Sequence, residues 1–127
     1  MLLNARTNEV IANHVEVADT RATRRRGLLG RDRLEQSTAL LLLPSFSIHT
    51  AFMRFPIDVV FVNREGAIVR IVTDMGPWKM ATAWRAHAVI EMAAGALRSH
   101  DIRTGDRLYL AAERSVAGTA VSWPLPA

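Results

Sequence analysis

The sequence predicts a mostly β single domain, either a β-sandwich or a barrel-like, jelly-roll-like domain, with one or two short helices. The 127 residues match the usual size of one domain. Six or seven short β-branched or alternating runs are separated by turn residues, and only two brief segments have helical character. We therefore expect one β domain over residues 1–111, followed by an extended C-terminal tail over residues 112–127.

The first predicted strand covers residues 9–18. Its β-branched residues partly alternate with polar ones, which places Val15 and Val17 on one face and His14 and Glu16 on the other.

A short helix is predicted next, over residues 21–29. Asp19 or Thr20 can cap its first turn, and Gly30 can provide a left-handed stop. Gly27 would then lie inside the helix and weaken it by about 1 kcal/mol relative to alanine. Its position there suggests that another segment packs closely against the backbone.

The remaining predicted elements are mainly strands. Residues 40–43 are all leucine and end at a proline, which is typical of a strand buried on both faces. Two β-branched runs joined by a short polar segment with a glycine predict a hairpin. Two further strands and one helical turn complete the domain. The predicted strands after the helix cover residues 40–43, 57–63, 67–73, 87–94 and 107–111, and the helical turn covers residues 95–99.

Composition excludes several classes of protein. Half of the residues are apolar and 22% are charged, which is typical of a folded globular chain. Because cysteine is absent, disulfide scaffolds, thiolate zinc sites, iron-sulfur clusters and cysteine nucleophiles are excluded. The longest apolar run covers residues 39–44 and is too short to span a bilayer. No export signal is recognisable at the start, so we expect a cytoplasmic protein without a membrane partner.

The net charge of +4 comes from fifteen arginines and one lysine against twelve acids. Five arginines cluster within ten residues, but helical spacing spreads them around the helix, and two acids dilute the patch. No interleaved aromatic residues mark an RNA-binding sheet. We therefore predict a solvated helix face and not a nucleic-acid site at Arg24, Arg25, Arg26, Arg31 and Arg33.

Asp58 is the most informative polar residue, because it lies between Ile57 and Val59 inside a predicted strand. A buried carboxylate needs a partner or a cavity. Arg54 could pair with it across the bend at Pro56. Alternatively, Asp58 accepts hydrogen bonds from backbone amides, and Arg54 forms only a surface ion pair.

Glu91 repeats this pattern between Ile90 and Met92 in another predicted strand. If it converged with Asp58, the pair could perform general acid–base chemistry or bind a cation through oxygen. Close to Phe52 and Arg54, His49 could contribute to a ligand groove or simply donate to a backbone carbonyl.

Other site motifs are absent from the sequence. The four histidines show no metal-binding spacing, and neither a Gly-x-Ser-x-Gly turn nor a phosphate-binding glycine loop is present. We predict no metal and no cofactor. The aromatic side chains are expected mainly in the core.

The segment Ile48–Phe61, IHTAFMRFPIDVVF, resembles the motif of a widespread prokaryotic family, domain of unknown function 192, also called uncharacterised protein family 0127. Further similarity covers about residues 10–110, with two departures from the family pattern. Residues 51–55, AFMRF, replace a family segment that begins with tryptophan, and Leu29 replaces a methionine. The resemblance implies a compact, mostly β domain of sandwich or jelly-roll-like type and no defined activity. The matching positions outside the main segment are Arg24, Gly27, Leu28, Ile90, Glu91, Gly95, Gly105 and Asp106.

Three functional hypotheses remain open. The first is a binding module for a small polar ligand or a peptide segment, with a site formed by His49, Phe52, Arg54, Asp58 and Glu91. The second is a small hydrolase or lyase that uses Asp58 and Glu91 as acid and base. The third assigns these polar residues a purely structural role. The identity of the ligand and the oligomeric state are not predicted.

Overall fold

The computed structural model describes residues 1–111, which form ten strands, one α-helix and one 3₁₀ turn. The predicted tail, residues 112–127, lies outside the described residues. The elements in chain order are β1 (Leu2–Asn4), β2 (Val10–Ala12), β3 (His14–Ala18), α1 (Arg21–Arg26), β4 (Thr38–Leu42), β5 (Ser47–His49), β6 (Ile57–Val62), β7 (Ile68–Met75), β8 (Met80–Thr82), β9 (Ala88–Ala93), the 3₁₀ turn (Ala96–Ser99) and β10 (Leu108–Leu110).

The strands form three sheets. The central sheet has five strands in the order β3-β4-β9-β6-β7, in which only the β3–β4 pair is parallel. A three-stranded antiparallel sheet has the order β10-β1-β2, and β5 pairs with β8 in a two-stranded ribbon. Since β3 and β7 are free edges, the described strands form an open, layered structure and not a closed barrel.

The central strands are buried on both faces, which explains their continuous apolar sequences. One face packs against the three-stranded sheet in a core that includes Leu2, Val60 and Ile90. The opposite face is covered by the segment after α1 and by the β5–β8 ribbon, whose inward side chains join Val59 and Val89. The central sheet therefore separates two hydrophobic cores.

The predicted mostly β fold is confirmed, and the described strands form several sheets and not a closed barrel. The hairpin is formed by β6 and β7, the leucine run lies in β4 with both faces buried, and the turn after β9 is a 3₁₀ turn. The predicted strand over residues 9–18 is divided into β2 and β3. Strands β1, β5 and β8 are too short for their sequence patterns to predict.

The predicted end of the helix was wrong. Thr20 caps α1 through a capping box with Thr23, but the helix stops at Gly27 and not at Gly30. Gly27 has a φ of +47°, which glycine adopts readily, and no atom approaches the position of a Cβ closer than 3.7 Å. The glycine is therefore explained by the backbone turn and not by close packing.

No helix within residues 1–111 is long and apolar enough to cross a bilayer.

Candidate functional site

The two strand acids, Asp58 and Glu91, lie on neighbouring strands but face opposite cores. In the antiparallel register of β6 and β9, Glu91 is opposite Val59. Val59 belongs to the core beneath α1, whereas Val60 belongs to the core beneath the three-stranded sheet. Because side chains alternate along a strand, Asp58 shares a face with Val60, and Glu91 shares a face with Val59. The two carboxyl groups do not meet in one cavity, so the predicted acid–base pair is not formed.

Asp58 is almost completely buried, with 1% of its surface exposed. One carboxylate oxygen accepts the backbone N–H of Asp74 at 2.8 Å. The other accepts the N–H groups of Gly95 at 3.0 Å and Leu97 at 3.2 Å. The carboxylate thus joins β6 to the end of β7 and to the 3₁₀ turn, as the backbone-amide alternative anticipated.

Glu91 is also buried, with 5% of its surface exposed, but its surroundings differ. Its carboxyl group has no hydrogen bond to any residue within the described range 1–111, and its oxygens are not sealed off from solvent. Burial raises the pKa of Glu91 to about 7, against the opposing effect of the Arg31 charge. A substantial fraction of Glu91 therefore keeps its proton at neutral pH.

Glu91 lines a cavity of about 340 Å³ between the central sheet, α1 and β5, which we call the arginine cavity. Such a volume is sufficient for a small ligand. Ser45, Ser47 and His49 border the cavity from β5 and the segment before it. Its apolar lining is Leu28, Leu29, Leu42, Ile48 and Met53, and its cationic side is Arg21, Arg24, Arg25 and Arg26.

The prediction that the arginines of α1 form only a solvated helix face was therefore incomplete. Arg24 donates to the backbone carbonyls of Asp19 at 3.0 Å and Leu43 at 3.3 Å, so its side chain lies against the body of the protein. The helix is only six residues long and ends at Gly27, which also borders the cavity. The sequence spacing of the α1 arginines did not indicate that Glu91, a buried acid of the central sheet, would line the same cavity.

The other predicted site residues are dispersed. His49 is exposed at the arginine cavity, but Arg54 pairs with Asp32 at 2.6 Å and not with Asp58. Phe52 is 72% exposed and contacts Trp78 with a distance of 4.6 Å between ring centroids. Of the five predicted residues, the structure brings only His49 and Glu91 to the same cavity.

Several aromatic residues are exposed, contrary to the expectation that they would lie mainly in the core. Trp84 is 82% exposed and contacts Phe46, and these two residues flank the β5–β8 ribbon. Phe61 is fully buried in β6, as expected. The aromatic residues before β5 and around β8 lie in short connections whose exposure was not evident from composition.

Within residues 1–111, no group of three or more histidine and acidic side chains is arranged to hold a metal ion. The arginine cavity itself has one acid and one histidine among its described lining residues. The polar part of its lining consists of arginine, serine, histidine and glutamate side chains.

Comparison with known proteins identifies the family. The family model of DUF192, described as "Uncharacterized ACR", matches residues 2–110. The chain belongs to the DUF192 family. A UPF0127 protein from Thermococcus gammatolerans is 33% identical over 118 residues, which cover 84% of this chain and 72% of that protein. A UPF0127 protein from Pyrococcus furiosus is 30% identical over 113 residues, with 84% and 95% of the two chains covered.

Solved structures support the fold of this DUF192 domain. A protein of unknown function from Novosphingobium aromaticivorans superposes with a TM-score of 0.68 at 24% identity and covers 74% of this chain and 72% of its own. A structure from Sinorhizobium meliloti, named there as a candidate transcription regulator, has a TM-score of 0.68 at 23% identity, with 74% and 78% covered. At these identities the similarity shows the fold alone.

The polar residues that carry the family resemblance divide into two groups in this DUF192 domain. Asp106 is buried and accepts hydrogen bonds from Asn4 at 2.9 Å, Arg6 at 2.7 Å and the N–H of Arg103 at 2.9 Å. Hydrogen bonding to Arg6 lowers the pKa of Asp106 well below its usual range. Asp106 and Asp58 therefore hold the fold together, whereas Arg24 and Glu91 line the arginine cavity.

Proposed function

We propose that this DUF192 domain is a binding module for a small polar ligand and that the arginine cavity is its binding site. The observation that supports the proposal is the buried carboxyl group of Glu91, which faces the cavity without a hydrogen-bond partner among residues 1–111. Within residues 1–111 its oxygens are not sealed off from solvent, and the cavity is where they are open. A nine-tenths buried carboxyl group that the fold itself does not hydrogen-bond can take its partner from the cavity, which supports a ligand at this place.

The geometry does not favour the alternative of a hydrolase or lyase. That mechanism requires two carboxyl groups at one substrate, but Asp58 and Glu91 lie on opposite faces of the central sheet. Asp58 is also fully engaged by three backbone amides and is not available for proton transfer.

The position of the cavity suits a binding role. Glu91 and Leu42 lie on central strands that are held by hydrogen bonds on both sides, so the base of the cavity is rigid. Its cationic side comes from α1, whose exposed arginines can adjust to the size of a ligand. A rigid base with an adjustable rim is consistent with recognition of one small molecule.

The proposal is tested by NMR titration of the full chain with a panel of small polar compounds: acetate, sulfate, glycine, acetamide and glycerol. We expect at least one compound to shift the amide signals of α1, β5 and β9 together. The Arg25→Ala variant should weaken that binding several-fold, because Arg25 borders the arginine cavity. Arg98→Ala is the matched control, since exposed Arg98 borders a different cavity of about 330 Å³ next to Asp58. Shifts that are centred on Arg98, or absent for every compound, would contradict the proposal.

A further inference from the structure

The arginine cavity has a surplus of positive charge. Four arginines of α1 line it, and Glu91 is the one acid among its described lining residues. Within residues 1–111, none of these four arginines forms an ion pair, and Arg24 donates only to neutral backbone carbonyls. Uncompensated guanidinium groups around a concave surface attract an anion and can bind its oxygens in pairs.

The nearby Arg31 does not supply the missing partner for Glu91. Its two terminal nitrogens donate to the two carboxylate oxygens of Glu16, each at 2.9 Å. The planar fork of the guanidinium is thus already occupied by a carboxylate on β3. Arg31 influences the charge of Glu91 from a distance, while the Glu91 carboxyl remains available to a ligand.

The protonated form of Glu91 has the chemistry that an anion requires. A protonated carboxyl group can donate one hydrogen bond, whereas an ionised one can only accept. The groups packed around it from the β4 and β6 sides of the core are aliphatic, and within residues 1–111 Arg31 is the cation whose charge acts on its pKa. The arginines of α1 and His49 share the cavity lining with Glu91. An anion in the cavity would further favour the proton on Glu91, because two negative charges repel at short distance.

We infer that the ligand is a small oxyanion, of the carboxylate or phosphate class, which is bound by the arginines of α1 and accepts a hydrogen bond from the protonated carboxyl of Glu91. This inference rests on the proposed function and adds the class of ligand to it. A ligand with a cationic group would pair with ionised Glu91 instead, but that group would have to lie among four guanidinium groups.

A hydrogen bond from protonated Glu91 couples anion binding to proton uptake. With a pKa of about 7 in the free protein, Glu91 is mostly protonated at pH 6 and mostly ionised at pH 8. If the complex retains the proton, the apparent affinity falls about tenfold between these two pH values. A cationic ligand at Glu91 would show the opposite trend.

The experiment measures the dissociation constants of sulfate, acetate and glycine at pH 6 and pH 8 by NMR titration of the full chain. Sulfate and acetate keep their charge over this range. Because His49 also lines the cavity, the measurements use the His49→Asn variant as background. We expect both anions to bind about tenfold more weakly at pH 8. Addition of Glu91→Gln should remove this pH dependence, while Glu65→Gln in the exposed β6–β7 turn should retain it.

Three results would overturn the inference. Equal anion affinity at both pH values would exclude the hydrogen bond from Glu91. Tighter binding of glycine at pH 8, without binding of the anions, would show that the site takes a cationic group, and the proposed binding function would stand. If no compound of the wider panel shifted the cavity signals, both the inference and the proposed function would fail.

Discussion

The two faces of the central sheet differ in the hydrogen bonds that the fold provides to a buried carboxyl group. On the face of the three-stranded sheet, Asp58 receives three backbone N–H groups within 3.2 Å. On the face of α1, Glu91 is buried to a similar degree, yet it has no hydrogen bond among the described residues and lies beside four arginines across a cavity. Burial alone therefore does not determine whether a carboxyl group is held by hydrogen bonds within the fold. The distinguishing property is whether the fold itself supplies the hydrogen-bond donors.

The physical basis of the difference lies in the energy of unsatisfied groups. A buried carboxylate that accepts several backbone amides contributes to stability, and its removal leaves those donors unpaired. A buried carboxyl group without such donors lowers the stability of the ionised protein. The two acids should consequently respond to substitution with opposite signs.

The largest effect is expected for Asp58→Ala. Removal of the carboxylate leaves the N–H groups of Asp74, Gly95 and Leu97 without their acceptor in a buried region. We expect the free energy of unfolding to fall by about 4 kcal/mol, measured by urea denaturation. Asp32→Ala, at an exposed acid, is the control. A loss below about 1 kcal/mol for Asp58→Ala would contradict the structural role.

The second prediction concerns Glu91 and pH. The pKa of Glu91 is raised from 4.5 to about 7, so its contribution to stability is complete below pH 4.5 and is lost as the pH rises to about 7. This difference corresponds to a loss on the order of 3 kcal/mol for the native protein. The glutamine side chain of Glu91→Gln cannot ionise, so this variant should not show this loss of stability.

Urea denaturation of the native protein and of Glu91→Gln at several pH values tests this prediction. The two proteins should have similar stability near pH 4.5, and the variant should become the more stable one by up to about 3 kcal/mol at pH 8. Other titrating groups, including Asp106, are present in both proteins and cancel in the difference. A variant that is less stable at pH 8 would show that ionised Glu91 has a favourable partner after all.

The smallest effect is expected for Arg54→Ala. Arg54 pairs with Asp32 on the surface, where both side chains are more than half exposed. Such pairs contribute about 0 to 1 kcal/mol, so we expect a change of less than about 0.5 kcal/mol in urea denaturation and no change in ligand binding at the arginine cavity. A tenfold loss of ligand binding would instead show that Arg54 belongs to the binding site.

Much of the fold follows from local patterns. The hairpin of β6 and β7 and the doubly buried β4 were predicted because β-branched and aliphatic runs leave few alternatives in a chain of this size. The strands of the β5–β8 ribbon were missed, because three residues are too few to show a period. The end of α1 was misplaced because the positive φ of Gly27 is a property of the turn and not of the sequence pattern.

For the candidate site, the sequence by itself identified Asp58 and Glu91 as acids within apolar strands, since such residues stand out against their neighbours. Only the tertiary structure decided that Asp58 is hydrogen-bonded by backbone amides and that Glu91 borders a cavity. The face of each side chain is set by strand register, and the donors that reach it come from distant parts of the chain: the 3₁₀ turn for Asp58 and the arginines of α1 around the cavity of Glu91. Hydrogen bonding and charge depend on distances in space, and separation along the chain does not determine them.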